Sequence, residues 1–293
     1  MSLLLAGGHE DPNLTVLADA ARRRNVELLD LRLPAMASPP FCWNPEDGAP
    51  QFSGKPIEAA GAFIRHDVFG RMNDPRPEVS TRAAGWYQTL MGWLLSRSDI
   101  RLFNRQMAQT ALNKPAVLVL AREVGLHIPT TWITNETGKF ADDQAETMIA
   151  KPVLGGDYCY SLAEALNKAK TNLRSGLAAI PAIVQKRLTA PEVRIYVIGK
   201  SAFAFEVRSP SLDYRVNQDA ELIFLSELPQ ELCLLRKLMA RLGLDFGAAD
   251  FKTDPDSGQL LFLELNTSPM FARFDQVCDG QVCAAIIHEL TAT

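Results

Sequence analysis

The sequence has no excess of positive charge and no long apolar run, and each absence excludes a class of partner. It carries 30 Lys and Arg against 34 Asp and Glu, a net charge of -4, so nothing favours binding to nucleic acid or an anionic membrane. No apolar run approaches the roughly 20 residues of a membrane span. The opening MSLLLAGG lacks a basic n-region, so it predicts a first β-strand and not a signal peptide.

The cysteines and histidines also form no recognisable site. The cysteines are Cys42, Cys159, Cys233, Cys278 and Cys283. An odd, scattered set without a CxxC pair predicts free thiols and a cytoplasmic location. The histidines are His9, His66, His127 and His288, and the chain shows no convincing Ser/His/Asp or Cys/His arrangement. The sequence therefore gives no support for a side-chain nucleophile.

Strand and helix patterns alternate along the chain. Residues 2–33 read as strand, helix and strand, which predicts a parallel βαβ unit, and the Pro- and Gly-rich residues 34–56 after it predict a loop. At Gly7 and Gly8 we expect a plain strand-to-helix turn, because a lone glycine pair is weak evidence for phosphate binding. Residues 228–243 carry an apolar stripe at helical spacing, which predicts a buried helix. These patterns indicate the α/β (α+β) class.

Two polar residues in an apolar strand near the C-terminus carry the functional argument. The run LLFLELN holds Glu264 and Asn266. Because side chains alternate along a strand, Leu260, Phe262, Glu264 and Asn266 are predicted to share one face.

The preceding segment AADFKT supplies a second carboxylate. We expect residues 255–259 to form the loop of an antiparallel hairpin. The opposed pairs would then be Asp254 with Leu260, Phe251 with Leu263, and Asp250 with Glu264. The prediction that matters is the last pair, because it places two acids face to face.

Two opposed carboxylates indicate a bound cation. Directly opposed residues lie about 4.5–5.5 Å apart at Cβ, where like charges repel. On a largely apolar ribbon we expect such a pair only with a divalent ion between the carboxylates. Asp250, Glu264 and Asn266 offer oxygen alone, which suits Mg²⁺ more than zinc. The alternative is an exposed sheet face with solvated acids.

Two lysines fit the phosphates that would complete a magnesium shell. Lys151 ends a strand pattern and precedes Gly155 and Gly156, and Lys114 begins a helix pattern after Asn113. A lysine beside a glycine turn can place its ammonium against phosphate oxygens while backbone N–H groups approach closely. Either lysine alone fits an ordinary surface residue. Together with the acids they indicate a nucleotide site.

The order of these motifs resembles the ATP-grasp superfamily, in particular its glutamate- and peptide-ligase branch with RimK-like and glutathione-synthetase-like members. The similarity covers Asn113 to Asn266 in six segments: NKPAVLVLAREVGLHIPTTWIT, IAKPVLGGD, IVQKRLTAPEVRIYVIG, VRSPSLDYRVN, GLDFGAADFKTD and FLELNTSP. It implies an N-terminal parallel-sheet (pre-ATP-grasp) domain over residues 1–112, followed by a two-lobed ATP-grasp domain. The lobes are a central nucleotide-binding lobe over 113–187 and a C-terminal lobe with the metal site over 188–293.

The resemblance also implies roles for individual residues toward ATP and its metal. Contacts with the phosphates are expected from Lys114, Lys151 and the lid residues Gly155 and Gly156. The adenine edge is expected on the backbone of a hinge made of Gln185, Lys186, Arg187 and Leu188, and the ribose hydroxyls on Glu192. The arginines expected at the γ-phosphate and acyl-phosphate are Arg194, Arg208 and Arg215. The ligands expected for Mg²⁺, or Mn²⁺ in its place, are Asp250, Glu264 and Asn266.

The chemistry implied by the resemblance is ATP-dependent ligation, with an amine attacking an acyl-phosphate to give an amide, ADP and phosphate. The first hypothesis is a carboxylate–amine ligase acting on amino acids or peptides. A second keeps this chemistry and crosslinks side chains of a ribosomal precursor peptide, as microviridin-type relatives do. A third, of another class, is a non-catalytic ATP-binding regulatory protein.

Two features of the N-terminal region bear on substrate and assembly. In FIRHDVF, Arg65 is expected to pair with a substrate carboxylate, with His66 beside it, and the alternative is a solvated strand end. Trp86 and Trp93 lie on one side of a helix pattern and are expected to pack in the core or between domains. An apolar surface around them would permit a homodimer.

Overall fold

The computed structural model describes residues 2–34, 38–46, 48–140, 142–154, 158–169, 176–212 and 220–292. They form two compact units. The first comprises Met1–Arg105, Ile198–Ser201 and Ser268–Thr293, and the second Gln106–Val197 and Ala202–Thr267. Among the described residues, no helix is long and apolar enough to cross a membrane.

The first unit is built on a parallel sheet. Its larger strands and helices are β1 (Ser2–Gly8), α1 (Pro12–Arg23), β2 (Glu27–Leu33), β6 (Gly61–Ile64), α2 (Phe69–Asn73), α3 (Pro77–Ser96), β7 (Arg101–Leu102), α8 (Ala272–Val277) and α9 (Gln281–Thr291). The sheet order is β2-β1-β6-β7, with every neighbouring pair parallel. The predicted βαβ unit is confirmed.

The loop predicted between the second strand and β6 contains a small sheet. Its strands are β3 (Phe41–Cys42), β4 (Gln51–Phe52) and β5 (Lys55–Pro56), and they pair antiparallel in chain order. Strands of two residues are too short to show a hydrophobic period, so the Pro- and Gly-rich composition predicted loop instead.

The glycine pair after β1 serves packing. A Cβ on Gly7 would lie 2.7 Å from Leu14 Cδ1 of α1 and 2.8 Å from the Arg65 carbonyl oxygen. Helix α1 begins under the cap of Asp11, whose carboxylate accepts the Asn13 N–H at 2.8 Å. These contacts favour the plain strand-to-helix turn.

Helix α3 buries one side against the parallel sheet. Leu90, Trp93 and Leu94 are fully or almost fully buried, while Trp86 is half-buried and stacks edge-on against Phe41 at 5.5 Å between ring centroids. The expected apolar surface around both tryptophans is therefore wrong for Trp93, because helical spacing turns this residue into the core.

The second unit contains two antiparallel sheets. The hinge sheet has the order β10-β9-β11-β8 and the metal sheet has the order β14-β13-β12-β15-β16. The hinge-sheet strands are β8 (Thr131–Glu136), β9 (Met148–Pro152), β10 (Tyr160–Ser161) and β11 (Leu177–Lys186). The metal-sheet strands are β12 (Thr189–Ile198), β13 (Ser201–Arg208), β14 (Glu221–Leu225), β15 (Phe246–Thr253) and β16 (Leu260–Asn266). The helices are α4 (Lys114–Glu123), α5 (Asp142–Thr147), α6 (Leu162–Ala169) and α7 (Leu232–Arg241).

Each sheet of the second unit is covered by helices on one face. Met148, Ala150 and Val184 of the hinge sheet pack with Leu162 of α6. The metal sheet packs against α4 and α7 through a larger core, which includes Val193, Ile195, Ala249, Phe251, Phe262, Leu235 and Leu238. Because side chains alternate along strands, the residues between these positions project from the opposite faces of the sheets.

The β15–β16 hairpin differs from the predicted register and still opposes the two acids. Thr253 pairs with Leu260 and Phe251 with Phe262, whereas Asp250 pairs with Glu264. The predicted pairs of Asp254 with Leu260 and Phe251 with Leu263 are wrong, because Asp254 N–H donates to Gln259 O and shortens the loop. The pairing shifts by one residue between Asp250 and Phe251, as at a β-bulge, and this shift restores the predicted pair of Asp250 with Glu264.

The bulge also separates two residues that were predicted to share a face. Phe262 packs edge-on against Phe251 at 5.6 Å between ring centroids, on the face opposite Asp250 and Glu264. Phe262 therefore lies in the helix-covered core, and the prediction that it shares a face with Glu264 is wrong. The bulge is what allows β16 to be apolar on one face and polar on the other.

Within the first unit, the C-terminal segment Ser268–Thr293 packs against the N-terminal residues through buried polar groups. The Asn13 side-chain oxygen accepts the N–H groups of Phe271 at 2.6 Å and Ala272 at 2.9 Å, and Arg65 donates to Pro269 O at 2.8 Å. The compact units accordingly differ in outline from the predicted domains. The division into 1–112, 113–187 and 188–293 stays a prediction.

Candidate functional site

The predicted metal ligands meet on the face of the metal sheet opposite its helices. Asp250 follows Ala249 of the core and Glu264 precedes Leu265, so alternation turns both acids away from the helices. The Asn266 amide donates to Asp250 Oδ2 at 3.3 Å and to Glu264 Oε1 at 3.5 Å, which joins the three side chains at one point. Asp250 is only 5% exposed, so the alternative of solvated acids is wrong for this residue.

Two cations from distant segments neutralise these acids. The Arg194 guanidinium grips Asp250 through two bonds of 2.6 and 2.8 Å, and Lys114 Nζ lies 3.0 Å from Glu264 Oε2. The expectation that only a divalent ion makes the opposed pair tolerable therefore needs correction. Bidentate and charge-assisted bonds supply the positive charge from the protein itself.

The pKa of Glu264 reflects this arrangement. Burial acts to raise the pKa of this carboxyl, but the charges of Lys114 and Lys151 outweigh it and leave the pKa lowered from 4.5. Glu264 is therefore an anion in the folded protein at neutral pH, as a metal ligand must be.

Lys151 is the unusual member of the cluster. It lies on β9 between Ala150 and Pro152, on the face that the α6 core leaves uncovered. Burial lowers the pKa of its ammonium, although the charge of Glu264 acts to raise it. Among the described residues, no hydrogen bond or ion pair uses Lys151 Nζ. A crowded ammonium without a partner is suited to an external anion.

A second ion pair on the same face involves the predicted ribose contact. Glu192 accepts from Lys252 Nζ at 3.1 Å, and both side chains are largely buried. Burial raises the pKa of Glu192, and the charge of Lys252 acts against this rise. The sequence patterns did not predict a role for Lys252. Its position two residues after Asp250 on one strand places both side chains on the same face and could have indicated it.

The predicted hinge contains two hydrogen-bonding groups that have no partner among the described residues. Lys186 N–H donates to Thr130 O at 3.1 Å and Arg187 N–H to Thr147 O at 2.8 Å, but no hydrogen bond between described residues uses the Leu188 N–H. Gln185 is fully buried and donates to Thr131 Oγ1 at 3.0 Å, while its Oε1 has no partner. The hinge thus presents one unpaired donor and one unpaired acceptor.

The chemistry of the cluster suits a metal ion, but its carboxylates alone do not make a complete metal site. Among the described residues, no group of three or more His, Cys, Asp or Glu side chains could hold a metal. Asp250 and Glu264 are two carboxylate residues, and the side-chain oxygen of Asn266 would make the set of ligand residues three. Such a small oxygen set suits Mg²⁺, which keeps water and phosphate in its shell.

The chain is similar along its whole length to solved ATP-grasp ligases. The ligase PsnB, complexed with a phosphomimetic variant of its minimal precursor, Mg and ADP, matches with a TM-score of 0.74 at 24% identity, over 99% of this chain and 98% of that one. The chain has the ATP-grasp fold. The macrocyclase MdnC, bound with precursor peptide MdnA from Microcystis aeruginosa MRC, matches at 0.74 and 19% identity over 100% of both chains. The VanG D-Ala:D-Ser ligase from Enterococcus faecalis matches at 0.61 and 14% identity, over 99% and 98%. No protein-family model and no curated protein sequence matches the chain.

The fold brings the predicted metal ligands together with Lys114, Lys151, Arg194 and Glu192, but it leaves other predicted site residues apart from them. Arg208 donates to Glu206 at 2.7 Å and lies on the same face of β13 as the core residue Ala204, away from the acid cluster. The predicted residues Gly155, Gly156 and Arg215 lie outside the described residues. Their roles stay predictions.

The two predicted substrate residues lie in the first unit. Arg65 is 4% exposed and donates to Asp11 Oδ2 at 2.7 Å, and it also bonds Ser268 and Pro269. These contacts use much of its donor capacity and favour a structural role. His66 is exposed and stacks edge-on against Tyr87 at 5.5 Å between ring centroids.

Proposed function

We propose that this protein is an ATP-dependent carboxylate–amine ligase that forms an amide through an acyl-phosphate. The observation that carries the proposal is the cluster of Asp250, Glu264 and Asn266 beside Lys114 and Lys151, of which Lys151 has no hydrogen bond or ion pair with any described residue. Oxygen ligands suit magnesium and ammonium groups suit phosphate oxygens, so the cluster matches a magnesium-bound polyphosphate.

The hinge supports adenine as the base. The Leu188 N–H can donate to N1 of the ring and Gln185 Oε1 can accept from its amino group, which is the pattern of adenine and not of guanine. Ile149, which pairs with Gln185 and is only partly buried, lies on the same face and offers an apolar surface to the ring. A buried acceptor without a partner is costly, so a ligand that satisfies it gains affinity.

The charges of the cluster suit transfer of a phosphoryl group to a carboxylate. Two anions must approach, and Lys114, Lys151 and Arg194 can neutralise the phosphate oxygens and hold them in line. Mg²⁺ held by the three oxygen ligands would supply further charge neutralisation at those phosphates. Attack of an amine then gives the amide, and exclusion of water protects the acyl-phosphate from hydrolysis.

A peptide is the substrate class that we favour. PsnB and MdnC, which share this fold over almost their whole length, were solved with precursor peptides bound. The second candidate function is therefore the crosslinking of side chains within a precursor peptide, where ester and amide products are both open. A cytoplasmic location and a homodimer remain parts of the proposal, and we expect neither a nucleic-acid nor a membrane partner.

An ADP-release screen tests the proposal. Purified protein with Mg·ATP is offered amino acids, dipeptides and longer peptides, and mass spectrometry follows any product that has lost one water per bond formed. We expect ADP release with at least one pool, lost in Asp250→Asn and kept in Arg241→Gln, which removes only the exposed pair of Arg241 with Glu123. Tight ATP binding without ADP release from any pool would instead support the regulatory protein.

A further inference from the structure

The side chain of Lys186 has a use that the hinge prediction does not include. It lies on the same face of β11 as Val184, which packs into the α6 core, so it points away from the face that carries Gln185 and Lys151. A nucleotide on the face of Gln185 and Lys151 cannot be touched by the Lys186 ammonium. Any role of this side chain must act through the backbone that it belongs to.

The Lys186 ammonium is held by the turn of the β15–β16 hairpin. Nζ lies 2.6 Å from Asp254 Oδ1 and 2.5 Å from Asp256 Oδ2. The hydrogen bond from Asp254, followed by that from Asp256, raises the pKa of Lys186, so the amine stays charged. The link joins the two sheets of the second unit.

The turn is a firm anchor, because Asp254 is itself fixed. Its carboxylate accepts from Ser257 Oγ at 2.7 Å, its N–H donates to Gln259 O at 2.9 Å, and its carbonyl accepts the Gly258 N–H at 2.9 Å. Gly258 has φ of +70°, a conformation that glycine adopts without strain. The Asp254 carboxylate therefore has one well-defined position for the ammonium.

We propose that Lys186 is a positioning residue for base recognition, braced by Asp254 and Asp256 against the hairpin that carries the acid cluster. The proposal rests on the proposed function and adds to it. The brace fixes the backbone from Gln185 to Leu188, whose unpaired groups face the base, relative to the hairpin that carries Asp250 and Glu264. It thereby sets the distance between the base end and the phosphate end of the nucleotide site.

Isothermal titration calorimetry with two ligands distinguishes a role in base recognition from a general effect on the stability of the fold. ADP with Mg²⁺ uses both ends of the site, whereas tripolyphosphate uses only the phosphate end. We expect Lys186→Met to weaken ADP binding by about three- to fivefold, the size that exposed ion pairs support, and to leave tripolyphosphate binding unchanged. Asp254→Asn/Asp256→Asn should match it, the combined variant should be no weaker than either, and Lys186→Arg should restore most of the affinity.

Arg241→Gln is the matched control, because it breaks an exposed pair of 2.6 Å on the helices α7 and α4 and should change neither affinity. Equal ADP affinity in Lys186→Met and the wild type would overturn the inference and leave the proposed function intact. Equal losses for ADP and tripolyphosphate would also overturn it, because a merely structural role moves both. A wild type that binds no ADP would overturn the proposed function and this inference together.

Discussion

Replacing Lys151 by methionine is expected to stabilise the ligand-free protein while weakening its binding of nucleotide. The ammonium has no partner among the described residues and burial lowers its pKa, so the charged form is disfavoured in the folded state. Burial of a polar group without a hydrogen bond costs roughly 1–3 kcal/mol in protein mutants. Lys151 is only half-buried and is attracted by Glu264, so we expect the lower part of that range.

A gain of about 1 kcal/mol corresponds to a rise in Tm of about 1.5–2 °C for a protein of 293 residues. Differential scanning calorimetry without nucleotide or metal measures it. The sign can be checked with pH: a lysine with a lowered folded-state pKa adds stability above the unfolded value of 10.5 and loses it as pH falls through the folded value. The advantage of Lys151→Met should therefore shrink as pH is raised toward 10.5.

Lys114→Met is the matched comparison, because Lys114 is paired with Glu264, whereas Lys151 forms no ion pair within the described part of the chain. Its removal leaves the largely buried Glu264 without its ion pair, so the ligand-free protein should lose about 1 kcal/mol. Both variants should bind ADP more weakly, since both lose an ammonium from the phosphate end. A ligand-free Lys151→Met protein that is less stable than the wild type would refute the reasoning that this ammonium awaits an external anion.

Three other measurements test Glu264, the Arg65–Asp11 pair and the proposed metal. Glu264→Gln in metal-free buffer should weaken the loss of stability that acid pH causes. The folded-state pKa of Glu264 is lowered, so its contribution to stability is present above 4.5 and is lost as pH falls through the folded value. The same loss of stability at acid pH in the variant and the wild type would contradict this. Arg65→Met should cost about 3 kcal/mol in urea denaturation because it strands the buried Asp11, and a cost near zero would restore Arg65 as a substrate contact. Chelation of Mg²⁺ should reduce the rise in Tm produced by ADP, and an unchanged rise would remove the metal from the proposed site.

Local patterns predicted much of the secondary structure, and in particular the opposed acids. Asp250 and Glu264 are joined by one short turn, so a hairpin brings them together whatever the rest of the chain does. The exact register was not predictable to one residue, because a four-residue loop with a bulge and a five-residue loop without one place this pair identically. Short elements such as α5 were missed, because six residues show too little helical period.

Long-range pairing lay beyond any local pattern. Arg194 and Asp250 are separated by 56 residues, as the tertiary fold must bring β12 beside β15 before the two side chains can meet. Arg65 and Asp11 illustrate the same limit: an arginine at a strand end looks free in sequence and is buried and paired in the structure.

The amino-acid sequence by itself determined which side chains could bear charge on apolar strands, because strand alternation and turn composition act over a few residues. Only the tertiary structure decided how those charges are balanced. It gave Asp250 and Glu264 cationic partners from the protein, and it left Lys151 half-buried without an ion pair to any residue that the structure describes. Electrostatic energies depend on distances between segments that are remote along the chain, and folding alone sets those distances.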